Sequence, residues 1–356
     1  MTQTNINNFW KNKTVFVTGH TGFKGSWLCI FLKMLGAKVI GYSLKPKLKP
    51  SLFELAGISK IIDKSIIADI RNFQKLKKEI KKAKPKILFH LAAQPLVRYS
   101  YLSPKETYDI NFSGSLNILE IIRMNQFIKT SIIITTDKVY DNRRNKIFQE
   151  NDQLGGYDPY SSSKVCVEFL FSTYLKSFFR IKSKQQLATV RAGNVIGGGD
   201  YSEDRLIPDI FRYFSKKRNI ELRNPMSTRP WQHVLEPLSG YLLLAEKLYK
   251  GKIKKNTESW NFGPNLSSCK PVVYIAKKFS KKLNLKVNYK KLKKNEFKPE
   301  ASYLRLSNFK ARKILRWKPK WHLNKSLDKI IDWHLRVKKR NALRLCMDQI
   351  NDYLKS

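Results

Sequence analysis

Short apolar runs recur along this chain, each too brief for a helix, greasy on both faces, and followed by a segment of helical length. They read TVFVT at Thr14–Thr18, KVIGY at Lys38–Tyr42, SIIADI at Ser65–Ile70, KILFHLAA at Lys86–Ala93, SIIITTD at Ser131–Asp137 and LATVRAG at Leu187–Gly193. Strands that are apolar on both sides need cover on both sides, and strands that alternate with helices pair in parallel. The pattern predicts a doubly wound α/β fold, whose ligands lie beyond the carboxyl ends of the strands. After about Gly197 the pattern changes to GGGD, DRLIPD and RNPMSTRPWQHV, followed by shorter lysine-rich helices, which predicts a smaller α/β C-terminal lobe that holds the substrate.

With 356 residues the chain can bury a full core. Its net charge of +43 points toward nucleic acid or an anionic surface. The lysines are dispersed, however. Lys75, Lys77, Lys78, Lys81, Lys82 and Lys84, and again Lys277, Lys278, Lys281 and Lys282, have the spacing of solvent-facing helix sides. Coding bias toward Lys, Ile and Asn accounts for such a surplus, so no nucleic-acid partner is expected. Cys29, Cys166, Cys269 and Cys346 lie far apart, without CxxC spacing or a nearby histidine, so neither a metal site nor a disulfide framework is expected. No run approaches the roughly 20 apolar residues of a membrane span, and Met1 to Asn12 lacks a signal-peptide pattern. A soluble cytoplasmic protein is expected.

Between the first strand and its helix stands GHTGFKG, Gly19 to Gly25, with glycines at its first, fourth and seventh places. Glycine there permits a tight turn and lets backbone N–H groups approach a pyrophosphate at the positive end of the helix. The helix behind it carries Trp27, Leu28, Phe31 and Leu32 as an apolar stripe. Residues 1–196 therefore read as a Rossmann-like dinucleotide-binding domain. It includes return segments near 233–265, the helix QHVLEPLSGYLLLAEKL and the strand SWNFG, and residues 197–356 mainly form the smaller lobe. The second strand ends in Gly41-Tyr42-Ser43, without the acid that holds an adenosine ribose. Lys24 or Lys45 could there tolerate a 2′-phosphate, which leaves NAD and NADP both open. Asp69 is placed to cap the adenine side or simply to enter a loop.

GGYDPYSSSK sets Tyr160 four residues before Lys164, behind an Asp158 cap and a Pro159 first turn, so both share one helix face. An adjacent ammonium favours a phenolate and lowers a tyrosine's pKa. TTDKVYDN places Asp137 and Lys138 side by side after Thr136 at the end of a buried strand. Neighbours on a strand point to opposite faces, which makes them poor partners for each other and better candidates for separate chemistry.

Together GHTGFKG, LAAQ, TTDK, YSSSK, RAGNVIGGGD, DRLIPD and RPWQHVLEPLSGYLLLAE resemble the extended short-chain dehydrogenase/reductases, the NAD-dependent epimerase/dehydratase family, from about Phe9 to Trp333. FVTGHTGFKGSWL, TTDKVYDN and RPWQHVLEPLSGYL look particular to the branch that dehydrates CDP-glucose. The resemblance implies a bound nicotinamide, with Gly19, Thr21, Gly22, Phe23, Lys24, Gly25, Asp69, Ile70, Leu91, Ala92, Tyr160 and Lys164 as its binding set. It also implies a catalytic set of Thr136, Asp137, Lys138, Tyr160 and Lys164. Tyr160 would take the proton of a sugar 4-hydroxyl, and Thr136 would bond the same oxygen. Asp137 would protonate the departing 6-hydroxyl. Lys138 stands where related dehydratases carry a glutamate, and either removes the C5 proton as a neutral amine or stays charged and stabilises the enolate. Arg229 and Asn194 would hold a CDP-sugar, joined by Arg205, with Gln94 and Tyr99 flooring the sugar pocket; His233 reads as a packed residue. The family's C-terminal HE and LxLD are replaced here by Pro299-Glu300 and Leu304-Arg305-Leu306-Ser307. Relatives form homodimers or homotetramers and feed deoxysugar synthesis for lipopolysaccharide O-antigen. A 4-epimerase would need Tyr160, Lys164 and Thr136 but not Asp137 and Lys138. A non-catalytic nucleotide- or nucleic-acid-binding protein would need none of them.

Overall fold

The computed structural model describes residues 8–47, 49–142, 146–179, 183–253, 258–289 and 303–356. Pro299 and Glu300 lie outside the described residues. Six strands match the predicted runs: β1 (Thr14–Thr18), β2 (Lys38–Ser43), β3 (Lys64–Ile67), β4 (Ile87–His90), β5 (Thr130–Ile134) and β6 (Gln186–Ala192). A seventh, Ser259–Phe262, adds at the edge beside β6. From that edge the sheet runs β6, β5, β4, β1, β2, β3, with every pair parallel. The order reverses between β1 and β4, which opens a crevice at their carboxyl ends.

Three strands end earlier than their apolar runs suggest. Beyond β3, β4 and β5 the chain makes one more backbone bond each, Ala68 N–H to Ser43, Leu91 N–H to Thr18 and Thr135 N–H to Val190, and then leaves the ladder. The residues after those points are loops at the ligand edge of the sheet. Thr136 is consequently not a strand residue. It caps a short 3₁₀ turn, Asp137–Val139.

Helices cover both faces. On one side Phe23–Met34, Leu235–Tyr249 and Ala342–Lys355 bury Trp27, Phe31, Leu238, Tyr241, Cys346 and Ile350 against the strands. On the other, Phe73–Ala83, Gly114–Met124 and Pro159–Tyr174 bury Leu76, Ile80, Ile118, Ile122, Val167 and Phe171. The C-terminal helix, whose lysine-rich surroundings suggested the smaller lobe, instead packs on Phe23–Met34. Leu345, Cys346, Ile350 and Tyr353 form the stripe that requires it. The smaller lobe joins the helices Leu206–Ser215, Val272–Leu283 and Leu323–Arg336 around Ile210, Ile275, Phe279 and Ile330. Among the described residues no helix is long and apolar enough to cross a membrane.

Glu236 ties the C-terminal helix down. Its buried carboxylate accepts from the Tyr353 hydroxyl at 2.6 Å and from the Trp321 N–H at 2.7 Å. Removing a donor from a buried carboxylate costs about 1–3 kcal/mol. Tyr353→Phe should therefore lower unfolding stability by that amount in urea titrations, without changing the far-ultraviolet spectrum.

Candidate functional site

The glycine turn is shaped by what it touches. Gly19 has φ +76°, and a Cβ there would stand 2.6 Å from the Ala92 nitrogen. A Cβ on Gly25 would stand 2.0 Å from the Gly19 carbonyl oxygen. Neither position admits a side chain without moving backbone. The turn therefore lies directly against Leu91–Ala92 and opens the helix Phe23–Met34 with Gly22 at its cap. Thr21 bonds the Ser43 hydroxyl at 2.9 Å and the Leu44 carbonyl at 2.8 Å, locking the turn to the end of β2. Backbone N–H groups at a helix start, in a cradle that a Cβ would fill, fit a dinucleotide pyrophosphate.

Lys24 does not serve the end of β2, as the 2′-phosphate reading supposed. Its side chain points into the cleft, near Asp137, Asp200 and Arg205. Burial, helped by the Arg205 charge, brings its ammonium down to about 8. Asp69 spends its carboxylate on the Arg71 guanidinium, with Nε at 3.0 Å and Nη2 at 2.6 Å. Ile70 packs in the core on that side, where a Cβ on Gly114 would meet its Cγ2 at 2.7 Å.

The helix Pro159–Tyr174 begins where Asp158 accepts from the Ser161 N–H at 2.9 Å, with Pro159 in its first turn. Ser163 on this helix receives a bond of 2.9 Å from Asn111, which also pairs with the backbone of Gln94 at both its amide atoms. Asn111 lies in a π-helical turn, Asp109–Ser113, so a single buried amide fastens the loop after β4 to the Tyr160 helix. Tyr160 and Lys164 lie on one face, as their spacing requires.

Their titration differs from the sequence expectation. Burial pushes the Tyr160 phenol up to about 12, although its hydrogen bond with Thr136 and the Arg205 charge oppose this. Burial also brings the Lys164 ammonium down to about 7, assisted by Lys24 and opposed by Glu168. Desolvation outweighs the lysine's pull on the tyrosine, because each charged form loses its water. The Lys164 ammonium donates to the Ile134 carbonyl at 3.2 Å.

Thr136, Asp137 and Lys138 stand across from Tyr160. The Thr136 hydroxyl donates to Asp137 Oδ1 at 3.2 Å and accepts from the Lys138 N–H at 3.3 Å. Asp137 and Lys138 therefore belong to one turn, and the opposite-face argument drawn from a strand does not apply to them. The Asp137 carboxyl is buried, and its Oδ2 has no hydrogen-bond partner among the described residues. Burial raises its pKa, against the pull of Lys138, Thr136, Arg229 and Lys24.

A cleft of about 330 Å³ joins these groups: Lys24, Thr136, Asp137, Lys138 and Tyr160 on the sheet side, Asn194, Arg205 and Arg229 toward the smaller lobe. Arg229 is buried and donates to the Thr228 carbonyl at 3.1 Å. Arg205 stands before the helix Leu206–Ser215 and pairs with Asp200 at 3.4 Å. Gln94 and Tyr99 do not line this cleft. The Gln94 amide is taken by the Leu96 backbone and the Thr107 hydroxyl, and the Tyr99 hydroxyl is bonded to Glu106. His233 is fully buried between Trp27 and Trp321, with burial lowering it to about 3, which makes it the packed residue its neighbours suggested. In the place of the family's LxLD, Leu304 and Leu306 are buried apolar residues.

Three groups escaped the sequence reading. His90, at the end of β4, bonds Thr18 at 2.7 Å and Ser115 at 3.0 Å, a buried neutral imidazole at the crevice. Glu168 and Arg191 form an ion pair at 2.9 Å, with both side chains only 4% exposed. The available signal was a glutamate one turn beyond Lys164 on a face that is otherwise uncharged, and an arginine inside an apolar strand.

The family model described as GDP-mannose 4,6 dehydratase matches residues 16–330. The chain belongs to that family. It is 47% identical over 98% of its length to the CDP-glucose 4,6-dehydratase of Salmonella typhimurium, covering 98% of that protein. It is 26% identical to the human dTDP-D-glucose 4,6-dehydratase, over 90% of each chain. Among solved structures it resembles the Bacillus anthracis dTDP-glucose 4,6-dehydratase in complex with NAD, with TM-score 0.76, 21% identity and coverage of 91% and 97%. It is similar also to the Thermotoga maritima UDP-glucose 4-epimerase with UDP-glucose, with TM-score 0.77, 20% identity and coverage of 92% and 100%. The likeness to these structures is one of fold, which in this chain is the seven-stranded parallel sheet with helices on both faces.

The buried Lys164 makes stability depend on pH. The folded protein holds this lysine near 7, whereas the free side chain titrates at 10.5. Between those values the unfolded chain binds a proton that the folded chain does not, so this residue's contribution to stability rises with pH across that window. Below about 7 its penalty is present in full. Lys164→Met should therefore gain most over the wild type below that pH, and the gain should shrink toward 10.5, as read from urea midpoints at a series of pH values.

Proposed function

We propose that the chain converts CDP-D-glucose to CDP-4-dehydro-6-deoxy-D-glucose and water, acting as a hydro-lyase with NAD. The observation that carries this reading is the Asp137–Lys138 turn, capped by Thr136, facing Tyr160 in one cleft. The 47% identical Salmonella relative supports CDP-glucose as the substrate. The glycine turn at Gly19, Gly22 and Gly25 would hold NAD, which would supply a hydride acceptor at C4, a hydride donor at C6 and, when oxidised, positive charge of the sign that favours a phenolate.

The side chains do the proton work. Tyr160 takes the proton of the 4-hydroxyl, and Thr136, already bonded to that phenol, holds the same sugar oxygen. With a phenol near 12, an isolated phenolate at neutral pH costs roughly 7 kcal/mol, so Tyr160 rests neutral and its phenolate becomes accessible as a base only when cationic charge gathers beside it. The resulting 4-ketone acidifies the proton on C5. As that proton leaves, a double bond forms between C5 and C6, the C6–O bond breaks, and Asp137 gives its proton to the departing hydroxyl, which becomes water. Burial keeps the Asp137 carboxyl protonated to higher pH than an ordinary aspartate, which suits an acid, and its unpartnered Oδ2 is the atom free to face the 6-hydroxyl. Lys138 is the neighbour on the same turn that removes the C5 proton and gives one back to C5 as hydride reaches C6, or holds the enolate oxygen if it stays charged. Arg229, Arg205 and Asn194, which line the same cleft, bind the CDP-sugar, the arginines at its diphosphate.

Incubation with CDP-, dTDP-, UDP- and GDP-glucose, with and without added NAD, should give a product lighter by one water from CDP-glucose. An unchanged mass with an altered sugar would mark an epimerase instead, and no conversion of any sugar would end the enzyme reading. Asp137→Asn should lower kcat by on the order of 10²-fold or more with little change in KM. It should also abolish the fall in elimination rate as pH rises through the raised Asp137 pKa. Lys138→Met should abolish solvent-deuterium incorporation at C5, and persistence of the label would show that Lys138 is not the base.

A further inference from the structure

No step above uses the buried pair Glu168–Arg191, yet its contacts converge on the catalytic turn. Arg191, in β6, meets Glu168 as a fork, Nε at 2.9 Å from one carboxylate oxygen and Nη2 at 3.0 Å from the other. The rest of the carboxylate's capacity goes to the Thr135 hydroxyl and, at 2.8 Å, to that of Thr189. Arg191 Nη1 reaches the other way, to the Tyr140 hydroxyl at 2.8 Å and the Glu150 carbonyl at 3.0 Å. Tyr140 in turn donates to Asn261 at 2.7 Å, and its ring lies 4.9 Å from that of Phe148, stacked on it. Thr135 and Tyr140 bracket Thr136, Asp137 and Lys138. One ion pair thus grips the chain on both sides of the acid and its neighbour.

Burial alone would push the Glu168 carboxyl up, but Arg191, Thr135 and Thr189 bring it below its ordinary value, so the pair is ionised. A buried ion pair adds little net stability, because desolvation offsets most of its attraction. Its value is directional: two parallel bonds fix Arg191 in angle as well as distance, and each partner passes that constraint to one flank of the turn. Tyr160 and Lys164, on the helix that also carries Glu168, have further anchors outside the pair: the Tyr160 N–H donates to the Ser100 hydroxyl at 3.1 Å and the Lys164 ammonium to the Ile134 carbonyl. Loosening the ion pair therefore displaces the turn more than it displaces the tyrosine.

We propose that Glu168 and Arg191 are positioning residues for water elimination, setting the height of the Asp137–Val139 turn over the sheet edge through Thr135 and Tyr140. The inference rests on the acid and base roles given to that turn. It separates two stages that one cleft performs. Oxidation at C4 depends on Tyr160. Elimination across C5 and C6 depends on where the turn holds Asp137 and Lys138.

The test uses variants that each remove one arm: Tyr140→Phe, Thr135→Val and Arg191→Lys, with Thr135→Ser as the conservative rescue. Products from CDP-glucose are separated by mass into the dehydrated sugar and a 4-ketosugar that keeps its 6-hydroxyl. Amide hydrogen exchange is followed over residues 135–141 and over the helix Pro159–Tyr174. The three disruptive variants should form the dehydrated sugar on the order of 10- to 10²-fold more slowly, release the undehydrated ketone, and exchange amides faster over 135–141 but not over the helix. Thr135→Ser should restore the wild-type partition. Wild-type exchange over 135–141 together with an unaltered product partition in Tyr140→Phe and Thr135→Val would overturn the proposal. If the wild-type chain itself yields no dehydrated sugar, the functional reading fails, and wild-type exchange over 135–141 in the variants then overturns the brace by itself.

Discussion

The approach of Gly19 to the backbone of Leu91 and Ala92 sets the geometry of the whole ligand edge. Because neither Gly19 nor Gly25 carries a Cβ, β1 can turn into its helix while lying flat against the end of β4. The crevice at the order reversal then has a floor of backbone rather than side chains. The loop after β5 meets the helix bearing Tyr160 beside that floor, and Asn111 fastens this helix to the loop after β4 through its bonds to Gln94 and Ser163. A bulkier residue in the glycine turn would separate elements that the chemistry needs in one cleft.

Loss of water is the strongest electrostatic influence inside that cleft. It raises Tyr160 and Asp137 and lowers Lys164 and Lys24, so each group is driven toward its uncharged form. A site built this way holds a proton donor and potential bases close to one another without the self-repulsion of ionised groups. The net charge of +43 has little to do with it. Most of that charge lies on solvated helix faces, where screening confines its effect to a Debye length of about 10 Å or less. Lys24, Lys138, Arg205 and Arg229 are among the few cations the fold brings into the cleft.

Glu168 and Arg191 show the opposite solution. There the charges are kept, because each has its hydrogen-bonding capacity filled by a fixed partner. Tyr160, Asp137, Lys164 and Lys24 are thus driven toward neutrality by burial, while Glu168 and Arg191 keep their charges by pairing. Both kinds meet at the Thr135–Tyr140 segment, which carries Asp137 and is bonded by Glu168 at Thr135 and by Arg191 at Tyr140.

Much of this was legible in the sequence. Continuous apolar runs alternating with helices required the parallel sheet, since only two covering layers can bury such strands. The glycine spacing located the dinucleotide turn, and the four-residue step from Tyr160 to Lys164 placed both on one helix face, because local spacing fixes local geometry. What the sequence could not determine were quantities set by distant neighbours. Tyr160 titrates upward rather than downward because burial comes from elements far away in the chain. Lys24 points to Asp137 instead of the end of β2, Gln94 and Tyr99 spend their polar atoms on Leu96, Thr107 and Glu106, and the last helix joins the first layer, for the same reason. Patterning within one element determines which face is buried, but only the assembled fold determines what each polar group meets there, and that meeting sets its charge, its partners and its use.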